Sequence, residues 1–304
     1  MNKLRIGVNF WDNGPAQLLC RAVLAEYREQ HPEQIELYSP RIPGDGFCPD
    51  EFVDLPVLKT MCKDIVPRSK KRKPVIHEMI DSLTAVAESD WDLLVLMNSD
   101  IWMTPTAEKI LLEMQEDCAC FSRANISPVN CDPSRLTFYY DFPNGWDMFA
   151  FRAGWWRKNR QKFLQLPCIY AERAWDNAYA CAMMAYGETV WHNKQPWILH
   201  MPHPGRWSAE SVEGVWCGKK WTACGWEGPW RKHVTVMSKR QYFNNGETLL
   251  PACIEAEQKS ERILFQGSSE IWMPSSQPEA VNVPVRALSQ ADACTKRVRS
   301  ATFR

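Results

Sequence analysis

The chain has 304 residues, 36 Lys plus Arg against 36 Asp plus Glu, and 45% hydrophobic residues. That is enough for one large α/β domain or two smaller ones, and the balanced charge gives no whole-chain argument for nucleic-acid or membrane binding. No apolar run approaches the ~20 residues of a membrane span, no signal-peptide pattern opens the chain, and the 12 cysteines lack a scaffold spacing, so a cytoplasmic chain with reduced thiols is expected.

Leu4 to Phe10 reads as a first strand. Gly14-Pro15 opens a helix whose apolar positions Leu19, Ala22, Val23 and Tyr27 keep helical spacing. Gln34 to Tyr38 is a short second strand, and the Pro- and Gly-rich segment Pro40 to Asp50 is a loop. A basic run, Arg68-Ser69-Lys70-Lys71-Arg72-Lys73, precedes Pro74, which suits the first residue of a helix striped by Ile76, Met79, Ile80, Leu83 and Val86. Trp91 to Met97 is apolar apart from Asp92 and predicts a strand buried on both faces. It ends in Asn98-Ser99-Asp100, after which Thr104 caps a helix with Pro105 at its first position. Strand–helix alternation over this first third implies a right-handed parallel sheet.

Beyond it the pattern changes. Cys118 to Ser122, Leu136 to Tyr140 and Asp147 to Arg152 read as shorter strands, and helices are expected over 154–164 and 176–186. Seven of the 15 tryptophans fall within 191–230, a stretch with Gly and Pro throughout that reads as loops with short strands. Core packing is the commoner fate of any one of them, although aromatic faces also stack on sugars and bases. The expected organisation is one unit over 1–240 and a partly irregular C-terminal extension over 241–304, rich in Ser and Pro and ending in a basic tail.

Four places could carry chemistry. Asp100 stands at a strand end, where open α/β sheets bind ligands, and a carboxylate there can hold Mg2+ or Mn2+. The same tripeptide also suits a turn or a helix cap. Gly145-Trp146-Asp147-Met148-Phe149-Ala150-Phe151 joins an acid and a large aromatic to strand alternation. Taken alone, it reads first as a turn into an edge strand. Glu172 and Asp176 flank the start of a helix, whose dipole keeps an acid ionised and fit to take a proton. An N-cap has the same physics. His200 and His203 sit three apart in a proline-fenced loop that ends at Trp207, and one of them suits a metal. Their spacing to Cys217 and Cys224 matches no established zinc pattern. The basic run is by default a solvated loop, with Lys73, just before a helix, its best candidate for a functional role.

Taken in order, these pieces resemble GT-A-fold, nucleotide-sugar-dependent glycosyltransferases over roughly residues 4–207. The resemblance rests on a first strand ending Val8-Asn9-Phe10, a basic segment before a helix, and a buried strand ending in an acid. Gly-x-Asp before a Phe-x-Phe strand, an acid opening a helix and a late histidine loop complete it. It implies an α/β, Rossmann-like, mostly parallel sheet flanked by helices, and a nucleotide-diphosphate sugar as donor. It also implies Mn2+ or Mg2+ on the diphosphate, held by Asp100 with His200 or His203, where Asn98 replaces the first acid of the usual Asp-x-Asp. Asn9, Lys73, Asn98 and Asp100 would then meet the donor, Trp146, Asp147 and Trp207 the acceptor, and Asp176 or Glu172 would be the base. The acceptor is left open as a glycan, a small molecule or a hydroxymethylated base in DNA, for which the basic run and basic tail would track phosphates. A non-catalytic module reading carbohydrate or nucleic acid through its tryptophans is the remaining alternative.

Overall fold

The computed structural model describes residues 3–11, 14–44, 46–128, 138–141, 146–164, 169–172, 175–187, 189–192, 197–200, 208 and 210–223. The expected extension over 241–304 lies outside the described residues.

The described strands are β1 (Leu4–Val8), β2 (Ile35–Ser39), β3 (Val53–Asp54), β4 (Leu93–Met97), β5 (Ile101–Met103), β6 (Cys118–Pro128), β7 (Phe138–Asp141), β8 (Trp146–Arg152), β9 (Thr189–His192) and β10 (Ile198–His200). The described helices are α1 (Pro15–Gln30), α2 (Cys62–Ile65), α3 (Ile76–Ala85), α4 (Pro105–Glu113), α5 (Ala153–Phe163), α6 (Trp175–Tyr186) and α7 (Val212–Ala223).

The strands form one mixed sheet in the order β3-β2-β1-β4-β8-β6-β10-β5, with β7 and β9 also on β6. From β3 to β4 the pairing is parallel. β8 then enters antiparallel between β4 and β6, so β6 runs with β4. The result is α/β: a parallel Rossmann-like half continued by a mixed half, with helices on both faces.

Strand alternation divides β4 between two cores. Leu93, Val95 and Met97 face one side with α1 and α4, where Leu19, Val23, Tyr27, Ala107 and Leu111 are buried. Leu94 and Leu96 face the other side with α3, α5, α6 and α7. Both faces are thus covered, as a largely parallel sheet requires. Trp155 and Trp156 of α5, Trp175 of α6 and Trp146 of β8 fill the second core, and Trp102 fills the first. Gly7 lets α3 approach β1, since a Cβ there would lie 2.5 Å from Leu83 Cδ1.

An ion network closes the opposite, N-terminal edge of the sheet. Asp92 is 2% exposed and accepts from Lys3 N, Arg5 Nε, Glu88 N and Ser89 N. Burial pushes its carboxyl up, but these donors outweigh burial and hold it below the ordinary value.

Several expectations are corrected. Pro74 does not open α3: it bridges Met61, Val75 bridges Ile169, and the helix starts at Ile76. Trp91 lies outside β4 and is 61% exposed. The short strand β5 intervenes between Asp100 and α4, whose Thr104 cap is observed, accepting from Ala107 N. β6 runs on to Pro128, six residues past Ser122. The stretch expected to be loops with short strands contains the twelve-residue α7. These differences reflect long-range pairing or packing, which local patterning does not report.

Candidate functional site

The chain order β1, β2 on one side and β4 on the other makes the β1–β4 boundary a topological switch point, where open α/β sheets bind ligands at strand C-termini. Asn9 follows β1 there, and Asn98 and Asp100 follow β4. Asn9 is 6% exposed, and its Nδ2 donates to the Pro40 carbonyl at 2.8 Å, tying the ends of β1 and β2 together. Trp11, two residues on, is 43% exposed.

Because β8 is antiparallel, its first residues reach the same edge. Here the β6–β8 register slips: Phe121 pairs Met148, but Ser122 pairs Trp146. Asp147 is the extra residue of this β-bulge, a device that re-aims side chains. Its carbonyl accepts from Asn98 N at 3.0 Å. Its Oδ1 accepts from Asn98 Nδ2 at 2.8 Å, and its Oδ2 accepts from Arg123 Nη1 at 2.8 Å. Asp147 was expected to contact acceptor; it is 5% exposed and clamped on both oxygens. Trp146, expected beside it as a stacking face, is 2% exposed within the core.

Asp176 arrives from the first turn of α6, and its Oδ2 accepts from Trp146 N at 3.1 Å. This bond ties the helix start to the bulge. Trp175, packed at a tilt between Phe149 and Tyr170, fixes the turn, and Tyr170 Oη donates to the Met97 carbonyl at 3.3 Å. Arg123 bonds Asp147 and feels the charge of the neighbouring acids. The charge of Asp147 raises its guanidinium above the ordinary value, and Asp176 and Asp100 add to the effect. Asp100, Asp147 and Asp176, which the sequence reading named separately, therefore share one electrostatic environment. Arg123 was missed, and its signal was a lone charge in the otherwise small and apolar run Cys118 to Ala124.

His200 ends β10 at this edge, opposite Ile101 of β5 and Asn125 of β6. It is 4% exposed, and its Nδ1 lies 2.8 Å from Asn125 Oδ1. His203, Trp207 and Cys224 lie outside the described residues. Among the described residues no three His, Cys, Asp or Glu side chains gather to hold a metal ion. Asp100 and His200, on neighbouring segments, are two candidate ligands, and they do not by themselves complete a divalent-cation site.

Glu172 and Lys73 belong to a second ion network. Glu172 has no exposed side-chain surface, and its Oε1 is 2.6 Å from Lys73 Nζ and 2.7 Å from Lys71 Nζ. Lys73 also donates to the Ala171 carbonyl at 2.6 Å. Burial pulls its ammonium below the ordinary value, against the pull of Glu172. Lys71 reaches Glu213 of α7 at 3.1 Å, and Ser69 donates to the same carboxylate. Two lysines of the basic run thus neutralise internal acids instead of presenting bare charge to a phosphate.

Cys20, Cys62, Cys118, Cys120 and Cys217 are buried free thiols, and Cys48 is a half-buried one. No described helix is long and apolar enough to cross a membrane.

No protein-family model matches the chain, and no curated protein matches it. Among solved structures it is similar to that of the galactosyltransferase LgtC in complex with donor and acceptor sugar analogs. The identity is 10% and the TM-score 0.33, over 66% of this chain and 88% of that one.

Proposed function

We propose that the protein is a nucleotide-sugar-dependent glycosyltransferase whose active site is the C-terminal sheet edge beside the β1–β4 switch point. The observation that carries this reading is the meeting there of Asn98, Asp147 and Arg123, tied through Trp146 N to Asp176 at the start of α6, with Asp100 two residues after Asn98. The fold alone would not carry it, because function belongs to sites. Residues 1–240 would form the catalytic unit and 241–304 an extension.

In this reading the donor diphosphate lies across the switch point, near Asn9 and Asp100, and the sugar faces Asp176. The acceptor hydroxyl attacks the anomeric carbon as the bond to the diphosphate breaks, and Asp176 takes the hydroxyl proton. The tie to Trp146 N holds the carboxylate in place, and the helix start favours its charged form. Glu172 is the poorer base, because two ammonium groups already claim it. Asp147 positions Asn98 and Arg123. In this reading a divalent cation, Mn2+ or Mg2+, accompanies the donor diphosphate. Its candidate ligands are Asp100 and His200, with His203 from the sequence. When bound it would supply positive charge for the departing diphosphate.

The test is release of nucleoside diphosphate from a panel of nucleotide sugars, with and without Mn2+. The proposal expects release with at least one donor and its loss in Asp100→Asn. A folded protein that binds sugars or nucleic acid but releases nothing would instead be a binding module.

A further inference from the structure

We propose that Arg123 is a substrate-contacting residue whose free edge binds an anionic phosphate group, the donor's diphosphate on the reading above, on which this inference rests. A guanidinium recruited only to neutralise a carboxylate commonly meets it with two N–H groups. Arg123 does not. Asp147 Oδ1 is already taken by the Asn98 amide, so Arg123 donates through Nη1 alone to Oδ2. Its Nε is buried and has no hydrogen-bond partner, a costly condition when nothing fills it. Asn98 Oδ1, on the other side of Asp147, is likewise buried without a partner. An unmet donor and an unmet acceptor thus flank one clamped carboxylate at the ligand-binding end of the sheet, and only the donor, Arg123 Nε, can meet an anion.

The local geometry is specific to this arrangement. The bulge at Asp147 turns its carboxylate between Asn98 and Arg123. Asn98 stands where the resemblance expects an acid, and its amide is what orients Asp147. The Arg123 side chain is 28% exposed, so part of it beyond the contact with Asp147 meets solvent, although Nε itself is buried. A planar fork held this way suits two phosphate oxygens, whereas a lysine would offer only a point charge. Asp100 and Asp176 oppose an incoming anion, so the contact should be strongest when Mg2+ accompanies it.

The experiment is calorimetric titration of the full chain with inorganic pyrophosphate and with uridine, guanosine and adenosine diphosphates, all with Mg2+. It compares the parent with Arg123→Lys, which keeps the charge and loses the fork. Because Asp147 is buried, Arg123→Met is made together with Asp147→Asn so that no lone charge remains. The inference expects pyrophosphate binding to weaken about ten- to a hundred-fold in both variants, the range of a lost charge-assisted hydrogen bond. Parent-like affinity in Arg123→Lys and in the double variant would overturn it, even if nucleoside diphosphates bind and the glycosyltransferase reading stands. Arg123-dependent pyrophosphate binding without any nucleoside diphosphate binding would support the anion site and count against that reading. A folded parent that binds none of these ligands would overturn both.

Discussion

Asn98→Asp restores the acid that the resemblance expects and should destabilise the protein in a pH-dependent way. In the parent, the Asn98 amide donates to Asp147 Oδ1 at 2.8 Å. In the variant two carboxylates meet at that distance, which at an effective dielectric constant of about 20 costs about 6 kcal/mol if both stay charged. The pair will instead hold a proton, because the introduced carboxyl, once protonated, can donate to Asp147 again. Binding that proton at pH 7 against an unfolded-state pKa of about 3.9 costs about 4 kcal/mol, which caps the loss. The sign follows from linkage: the shared proton is held more tightly in the folded state than in the unfolded one. The variant therefore loses stability as pH rises above the unfolded value, by about 1.4 kcal/mol per unit. Urea unfolding should find it about 4 kcal/mol less stable than the parent at pH 7 and about 1.5 kcal/mol less stable at pH 5. The reciprocal exchange Asn98→Asp with Asp147→Asn rebuilds an amide–carboxylate pair and should recover most of the loss. Parent-like stability at pH 7, or a loss that does not change with pH, would refute the pairing on which the site is built.

Asp176→Asn keeps an oxygen that can accept from Trp146 N, so its unfolding midpoint should stay near the parent's while transfer falls on the order of 10²–10⁴; normal transfer by the folded variant would remove Asp176 as the base. Asp92→Ala leaves Arg5, 1% exposed, with a weaker set of partners and should cost about 3–5 kcal/mol at pH 7 in urea unfolding. Asp92 is held below its ordinary value, so its contribution is complete above an unfolded pKa of about 3.9 and is lost as pH falls further. The gap between parent and variant should therefore narrow below about pH 4, and a gap unchanged by acid would count against the network.

What the sequence alone determined is what near neighbours decide. The run Leu93 to Met97, buried at every position, announces a central strand because no surface strand is apolar on both faces. The Gly14-Pro15 start and the Thr104 cap are likewise local chemistry, and both helices begin where those residues stand. The place of Asp100 just past β4 was legible because a polar turn ends an apolar strand. The tertiary structure decided the rest. Nothing local to Ile101-Trp102-Met103 marks a strand; it is one because β10 pairs with it. Lys73 looked available in the sequence, but Glu172, 99 residues away, was not visible as its partner. Arg123 and Asp147 became a pair only when β8 entered the sheet antiparallel and bulged by one residue. Register between distant strands is set by the summed fit of two faces and a turn. No window of neighbouring residues contains that sum, so the acids could be named from the sequence while the cation among them could not.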